Sequence, residues 1–295
     1  MKAQKTAPYG THDPCTQELN MLSLHTNNAA LSAQNSLSQT QGKLTTSMTR
    51  LSTGYRINSA SDDAAGLQIA TRLKAQTSGM ATAMRNTQNA TSMIQTAGGA
   101  LAEIKNMLIR MKDLATQAAD GASSADDRTA LQAEFDDLNK EIANIVTNTT
   151  FAGTSLLKGT TGFGAAVKFQ IGATKAETMG VDVATNVGKI ETDSALLVWT
   201  NQTTANNMID ATQKVIDTVS TVDSALGAAA NRLEHVHNNL ANISANTKAA
   251  TGRIMDTDFA TESANMTTSQ MLTQAGTAML KQSNSMSSMV MSLLQ

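Results

Sequence analysis

The chain contains almost nothing that staples, kinks or stacks. Of 295 residues, one is cysteine, two are proline and 3% are aromatic. With Cys15 alone there is no internal disulfide and no four-cysteine zinc site, and the redox compartment stays open. Charge is sparse too. Charged side chains make up 16% of the chain and the formal net charge is -2. Lys and Arg are spread along the sequence, so the basic footprint needed for nucleic-acid binding is missing. The longest apolar run, Ala195 to Trp199, is far too short to span a bilayer, and the first residues lack the apolar core of a secretory signal. Nucleic acid, membrane insertion and a conventional cleaved export route are therefore set aside. What remains is aliphatic and rich in methionine, with 17 Met, in a chain long enough for one or two domains with a real core.

Residues 1–20 hold both prolines, Pro8 and Pro14, and Cys15, and show no helical period. They read as a disordered N-terminal extension. Met21 opens the first periodic segment, in which Leu24, Leu31, Leu37, Leu44, Met48 and Leu51 trace an imperfect amphipathic helix. The stretch STGYRINSASDD interrupts it. Ser61, Asp62 and Asp63 then offer capping oxygens to a long helix. Its heptad seam runs through Ile69, Leu73, Met80, Ala83, Ala90, Ile94, Ala97, Leu101, Ile104, Leu108, Met111, Ala115 and Ala118, with Gln76 and Thr87 as polar interruptions. Gly121 is expected to close this rod, and Ser124 precedes Asp127 in capping-box spacing. Leu131, Phe135, Leu138, Ile142 and Ile145 mark a shorter helix that folds back.

Near residue 150 the composition turns to Gly and Thr. AVKFQIG and ETMGVDVA alternate with period two and predict a small β-hairpin at about residues 165–185. GTTGFGAA precedes a strand rather than opening a helix, so it reads as a flexible loop and not as a phosphate cradle. After Trp199 comes the most regular pattern in the chain: Met208, Thr212, Val215, Val219, Val222, Leu226, Ala229, Leu233, Val236, Leu240, Ile243, Thr247 and Ala250, spaced by fours and threes. Gly252 is its expected stop. A terminal helix follows, on which Leu272, Ala275, Met279, Met286, Met289 and Leu293 share one stripe with no charged residue after Lys281.

The expected fold is mainly α, with long antiparallel heptad helices in a rod-like coiled-coil bundle and a small mid-chain hairpin. The organisation is nearly symmetrical: residues 21–61 plus 253–295 form a terminal coiled-coil domain, and residues 62–252 a helical domain carrying the hairpin. The interior rods can cover each other's stripes. The terminal helices, poor in charge and rich in Ser, Thr, Asn and Gln, are expected to gain order only where further copies supply apolar surface. An open polymer of identical subunits follows, built by a head-to-tail contact that does not close.

Other sites yield to plainer readings. His235 and His237 lie on different helix faces, Asp256 and Asp258 read as helix caps rather than calcium ligands, and no nucleophile–base cluster accompanies the acid pairs. No cofactor, metal or catalytic residue is expected, and the chain is not read as an enzyme.

LSTGYRINSASDDAAGLQIATRL, GALAEIKNMLIRMKDLATQAADG, TALQAEFDDLNKEIANIVTNTTFAGTSLL, VKFQIGA, LGAAANRLEHVHNNL and GRIMDTDFATE, followed by the Met-rich terminal helix, together resemble bacterial flagellin over nearly all of Met21 to Gln295. MLSLHTN is most similar to the short lateral or swarming-type members. NTKAATGRI departs from the pattern by lacking a leucine after the Asn. The resemblance implies a secreted structural subunit of the extracellular flagellar filament, used in motility. It also implies partners: identical subunits, the export apparatus and an export chaperone at the C-terminal helix, and the filament cap and junction proteins. Leu24, Leu31, Leu37, Leu44, Leu272, Met279, Met286 and Leu293 are the expected filament-assembly positions. Arg110, Leu114 and Glu134 fall on motif positions through which flagellins meet the flagellin-sensing Toll-like receptor. The alternative is a hook–filament junction or adaptor protein, which would share the helical ends.

Overall fold

A computed structural model describes residues 27–195, 197–199 and 201–293. The extension at residues 1–20 and Leu24 lie outside the described residues. Six helices dominate: α1 (Asn28–Thr53), α2 (Ala64–Ala119), α3 (Ala125–Asn148), α4 (Ala184–Ala195), α5 (Gln202–Met255) and α6 (Phe259–Leu293). Two small antiparallel ribbons lie between α3 and α4: β1 (Thr150–Phe151) with β2 (Thr154–Ser155), and β3 (Val167–Gln170) with β4 (Thr178–Val181). The chain divides into two compact units, one of residues up to Asp62 together with those from Asp256, the other Asp63–Met255.

The second unit is built on the α2–α5 pair. At about 1.5 Å per residue, the 56 residues of α2 and the 54 of α5 each make a rod of roughly 80 Å. The buried positions of α2 run Ala83, Thr87, Ala90, Ile94, Ala97, Leu101, Ile104, Leu108, Met111, Ala115 and Ala118, in alternating steps of four and three that keep one stripe turned to a partner. The facing stripe on α5 holds Thr212, Val215, Val219, Val222, Leu226, Ala229, Leu233 and Leu240. Thr87 is no interruption. It is buried, and its hydroxyl donates to the Ala83 carbonyl, so its polar atom is satisfied within its own helix.

Two expected seam positions are displaced by one residue. Ile69 and Ile243 are exposed, while Ala70 and Ser244 take the buried places. A 3.6-residue helix drifts against a seven-residue repeat, and smaller side chains here take up the drift. Helix ends differ as well. α2 stops at Ala119 with extended Asp120 as its cap, not on a left-handed Gly121, and α5 runs through Gly252 to Met255. The capping box forms as the spacing predicts: the Ser124 hydroxyl accepts from the Asp127 amide, and the Asp127 carboxylate accepts from the Ser124 amide. The Ser124 hydroxyl, and then its amide, hold the Asp127 carboxyl below the ordinary aspartate range.

The predicted hairpin pairs Val167 with Val181 and Phe169 with Met179. The glycine-rich loop before it is pinned rather than flexible. Phe163, within a 3-10 turn at Gly162–Gly164, is fully buried, and a Cβ on Gly162 would meet the Ser155 carbonyl oxygen at 2.4 Å. Only glycine lets the chain wind this closely. The helix α4 was not expected. It buries Val187 and Ile190, and the strand-like alternation of ETMGVDVA gives way to it at Ala184. Past α4, Trp199 lies edge-on to Phe135 with ring centroids 4.4 Å apart.

Phe135→Ala is expected to cost about 3–5 kcal/mol by leaving a cavity under that ring. Trp199 is the only tryptophan, so urea unfolding followed by its emission reads the loss directly. An unchanged midpoint would show that the site collapses without penalty.

Candidate self-assembly surface

The helices α1 and α6 come from opposite ends of the described chain and pack antiparallel. Their register is held at both ends. At one end the Asn27 side-chain amide donates to the Ser283 carbonyl at 3.3 Å and to its hydroxyl at 3.2 Å. The same side chain caps α1 by accepting from the Ala30 amide. At the other end α1 closes on Gly54, whose φ of +75° turns the chain left-handed. The Thr257 amide donates to the Gly54 carbonyl, and Tyr55 bridges Asp256. At this same end Arg50, in the last turn of α1, lies 3.7 Å from the buried carboxylate of Glu262 in the first turn of α6.

The seam mixes apolar and polar positions. At heptad spacing α1 turns Ala33, Leu37, Thr40, Leu44, Ser47 and Leu51 inward, and α6 answers with Glu262, Met266, Ser269, Thr273, Gly276, Leu280 and Ser283. Among the described residues of the two helices those classed as buried are Ser47, Glu262 and Ser269. Gly276 brings the helices close: a Cβ there would sit 3.3 Å from Leu37 Cδ1. Thus Leu37 and Leu44 spend part of their apolar area inside the subunit.

The expected terminal stripe lies elsewhere on α6. At about 100° per residue, Leu272, Ala275, Met279 and Met286 fall on one flank, beside the seam rather than in it. Leu272, Met279 and Met286 are 55%, 66% and 58% exposed, and Leu31 on α1 is 52% exposed. Leu293 closes α6, with its side chain outside the described part. Charge does not guard this surface, since α1 carries only Lys43 and Arg50, and α6 only Glu262 and Lys281.

Two carboxylates fix the bends next to these helices. Asp62 accepts from the Ser59 and Asn58 amides, which hold its carboxyl below the ordinary range with help from Arg50. Asp258 starts α6 by accepting from the Thr261 hydroxyl and the Ala260 amide, and these lower its carboxyl likewise. Both stay ionised where unheld aspartates take up a proton.

The three receptor positions separate. Arg110 Nε and Nη2 both donate to Glu134 Oε1, at 2.9 and 2.7 Å, and both side chains are half-exposed. Leu114 belongs to the core at 1% exposure. Of the three, only the ion pair presents a surface, and periodicity alone could have said so, since Leu114 stands beside the buried Ala115.

Residues 24–161 match the description "Bacterial flagellin N-terminal helical region", and residues 209–294 match "Bacterial flagellin C-terminal helical region". The chain belongs to the bacterial flagellin family. It is 41% identical to a flagellin of Halalkalibacterium halodurans, over 84% of this chain and 90% of that one. Flagellin A of Vibrio anguillarum and polar flagellin C of Vibrio parahaemolyticus are each 33% identical, over 93% of this chain and all of theirs. Those alignments span 380 and 385 positions against 295 residues here, so these flagellins carry internal segments with no counterpart in this chain.

Among solved structures, a Bacillus cereus flagellin is 33% identical with a TM-score of 0.46, over 53% of this chain and 88% of that one. A putative flagellar hook-associated protein of Vibrio parahaemolyticus reaches 0.53 at 16% identity, over 66% of this chain and all of its own, a likeness of fold alone. As a flagellin this chain is a structural subunit that polymerises into the flagellar filament, and not an enzyme. The filament that flagellins form is extracellular. No helix among the described residues is long and apolar enough to cross a membrane.

With so little apolar burial between α1 and α6, amide exchange in the monomer should be at least about a hundredfold faster there than in the middle of α2 and α5. Hydrogen–deuterium exchange with peptide mass spectrometry measures this. Equal protection throughout would mean that the mixed seam holds the pair as firmly as the core holds the rods.

Proposed function

We propose that the exposed flank of α6 at Leu272, Met279 and Met286, with Leu31 on α1, is the surface through which one flagellin copy grips the next, and that Leu24 and Leu293, assigned from the sequence alone, serve the same contact. The observation that carries this is where α6 keeps its apolar area: Met266 and Leu280 turn toward α1, while Leu272, Met279 and Met286 stay more than half exposed. Leu37 and Leu44 then act by holding α1 against α6, not by touching a neighbour. The terminal segments, residues 21–61 and 253–295, form the assembly domain, and residues 62–252 form a second domain. A heterologous contact of this kind repeats without closing and yields a helical filament.

Other partners follow from the same surface. A stripe that sticks to copies of itself needs cover before export, which suits a chaperone seated on the C-terminal helix. The cap and junction proteins at the filament ends then meet the same flank. The junction or adaptor reading for this chain itself has no observation in its favour.

Met279→Asp tests the proposal. The residue is exposed in the monomer, so circular dichroism should stay the same. A carboxylate buried without a partner costs about 3 kcal/mol or more, so seeded polymerisation should need roughly a hundredfold more protein or fail. Normal filaments from the variant would remove α6 from the contact.

The Arg110–Glu134 pair is proposed as the exposed part of a receptor-recognition surface, because the planar guanidinium fork remains solvent-accessible beside its carboxylate. Arg110→Ala should lower signalling in a Toll-like-receptor reporter cell at least about tenfold with helicity unchanged. Unaltered signalling would rule the pair out.

A further inference from the structure

Among the described side chains of α6, the exposed large apolar ones are Phe259 at its start, Leu272 and four methionines. Met271, Met279, Met286 and Met289 are each more than half exposed. Elsewhere Met48 on α1 is exposed, whereas Met80, Met111 and Met179 are buried, the last two almost completely. Packing alone does not call for thioethers on the outside. A leucine stripe would supply the same apolar area without the chemical liability, and α6 itself uses leucine at 272.

A thioether differs from an isobutyl group in one reaction within reach at neutral pH. Its sulfur lone pair attacks the near oxygen of a hydroperoxide. An S–O bond forms as the O–O bond breaks, the sulfur gives up two electrons, and the departing hydroxide takes the proton of the transferred hydroxyl to leave as water. The product is a sulfoxide, a polar and chiral group that resists burial against apolar surface. Access decides the rate, so the buried methionines are shielded and those on α6 are not.

We propose that the α6 methionines form a peroxide-sensitive modification site whose oxidation blocks addition of the subunit to the filament and whose reduction restores it. The inference rests on the assembly surface proposed above. In the free subunit the four side chains are more than half exposed. In the filament a neighbouring copy covers the flank that bears Met279 and Met286, so oxidation acts on subunits before they join and spares those already in place. Few charges lie nearby to compete for water: on α6 only Glu262 and Lys281, of which Glu262 is buried against Arg50. The change from thioether to sulfoxide is therefore the dominant polarity change the surface can undergo.

The test treats the full chain with hydrogen peroxide, as monomer and as preformed filament, and follows sulfoxide by peptide mass spectrometry and polymer yield by sedimentation. Expected in the monomer are sulfoxides at Met271, Met279, Met286 and Met289, with Met111 and Met179 untouched, and a polymer yield at least about tenfold lower. Treatment with methionine sulfoxide reductases of both stereospecificities and dithiothreitol should return the yield. In the filament, Met279 and Met286 should be protected. A variant combining Met271→Leu, Met279→Leu, Met286→Leu and Met289→Leu, compared only with its own untreated yield, should lose nothing to peroxide although the exposed Met48 on α1 remains oxidisable.

Oxidised wild type that polymerises as well as untreated protein overturns the inference while leaving the assembly surface in place, provided Met279→Asp fails to polymerise. If Met279→Asp polymerises normally, the assembly surface itself is wrong and the inference falls with it. Equal peroxide loss in the leucine variant places the sensitivity outside α6 and also overturns it.

Discussion

A pair of helices has only so much apolar surface, and wherever it is spent inward it is lost to the outside. In α1 and α6 the inward positions are shared between apolar residues and Ser, Thr, Gly and Glu, with Ser47, Ser269 and Glu262 the buried residues of the two helices. This leaves Leu272, Met279 and Met286 uncommitted. In α2 and α5 the same heptad grammar is spent the other way, with Ile94, Leu101, Ile104 and Leu108 closing on Val215, Val219, Val222 and Leu226. One unit covers its stripes within the chain, and the other leaves large apolar side chains exposed. At about 25 cal/mol per Å² of buried apolar area, the first contact stabilises itself more than the second.

The register of the terminal pair depends on polar contacts for the same reason. Apolar knobs of similar size allow a helix to slide by a turn. Asn27 on Ser283 and Arg50 on Glu262 fix one alignment, because any other would strand a partly buried amide or a buried carboxylate. Gly276 under Leu37 adds a steric mark. A correctly aligned pair is what gives the outer flank of α6 a defined shape to offer.

The sequence made the rods legible because four-three spacing persisted over many turns, and the capping box at Ser124 because its chemistry is local. Harder to read was anything that depends on a distant partner. Ile69 and Ile243 carry stronger apolar signals than Ala70 and Ser244, yet the latter are buried, since close helix approach selects size over hydropathy. The α4 helix has only Val187 and Ile190 as buried anchors, too few for a period to stand out next to a strand. Gly162 and Gly164 suggested looseness, although their missing side chains are what permits a tight fold around Phe163. For the assembly surface, the stripe on α6 was visible. That Leu37 and Leu44 belong to a different face was not, because α1 alone does not say which of its sides meets α6.

The hydrogen bond between Asn27 and Ser283 joins residues 256 positions apart. Its formation is thus a test of completeness. A polypeptide that has not yet been extended through its last helix offers α1 with nothing opposite, and no aligned flank to present. A chain cut short of Ser283 has no acceptor there for the Asn27 amide, so this alignment of α1 on α6 belongs only to a polypeptide that reaches its last helix.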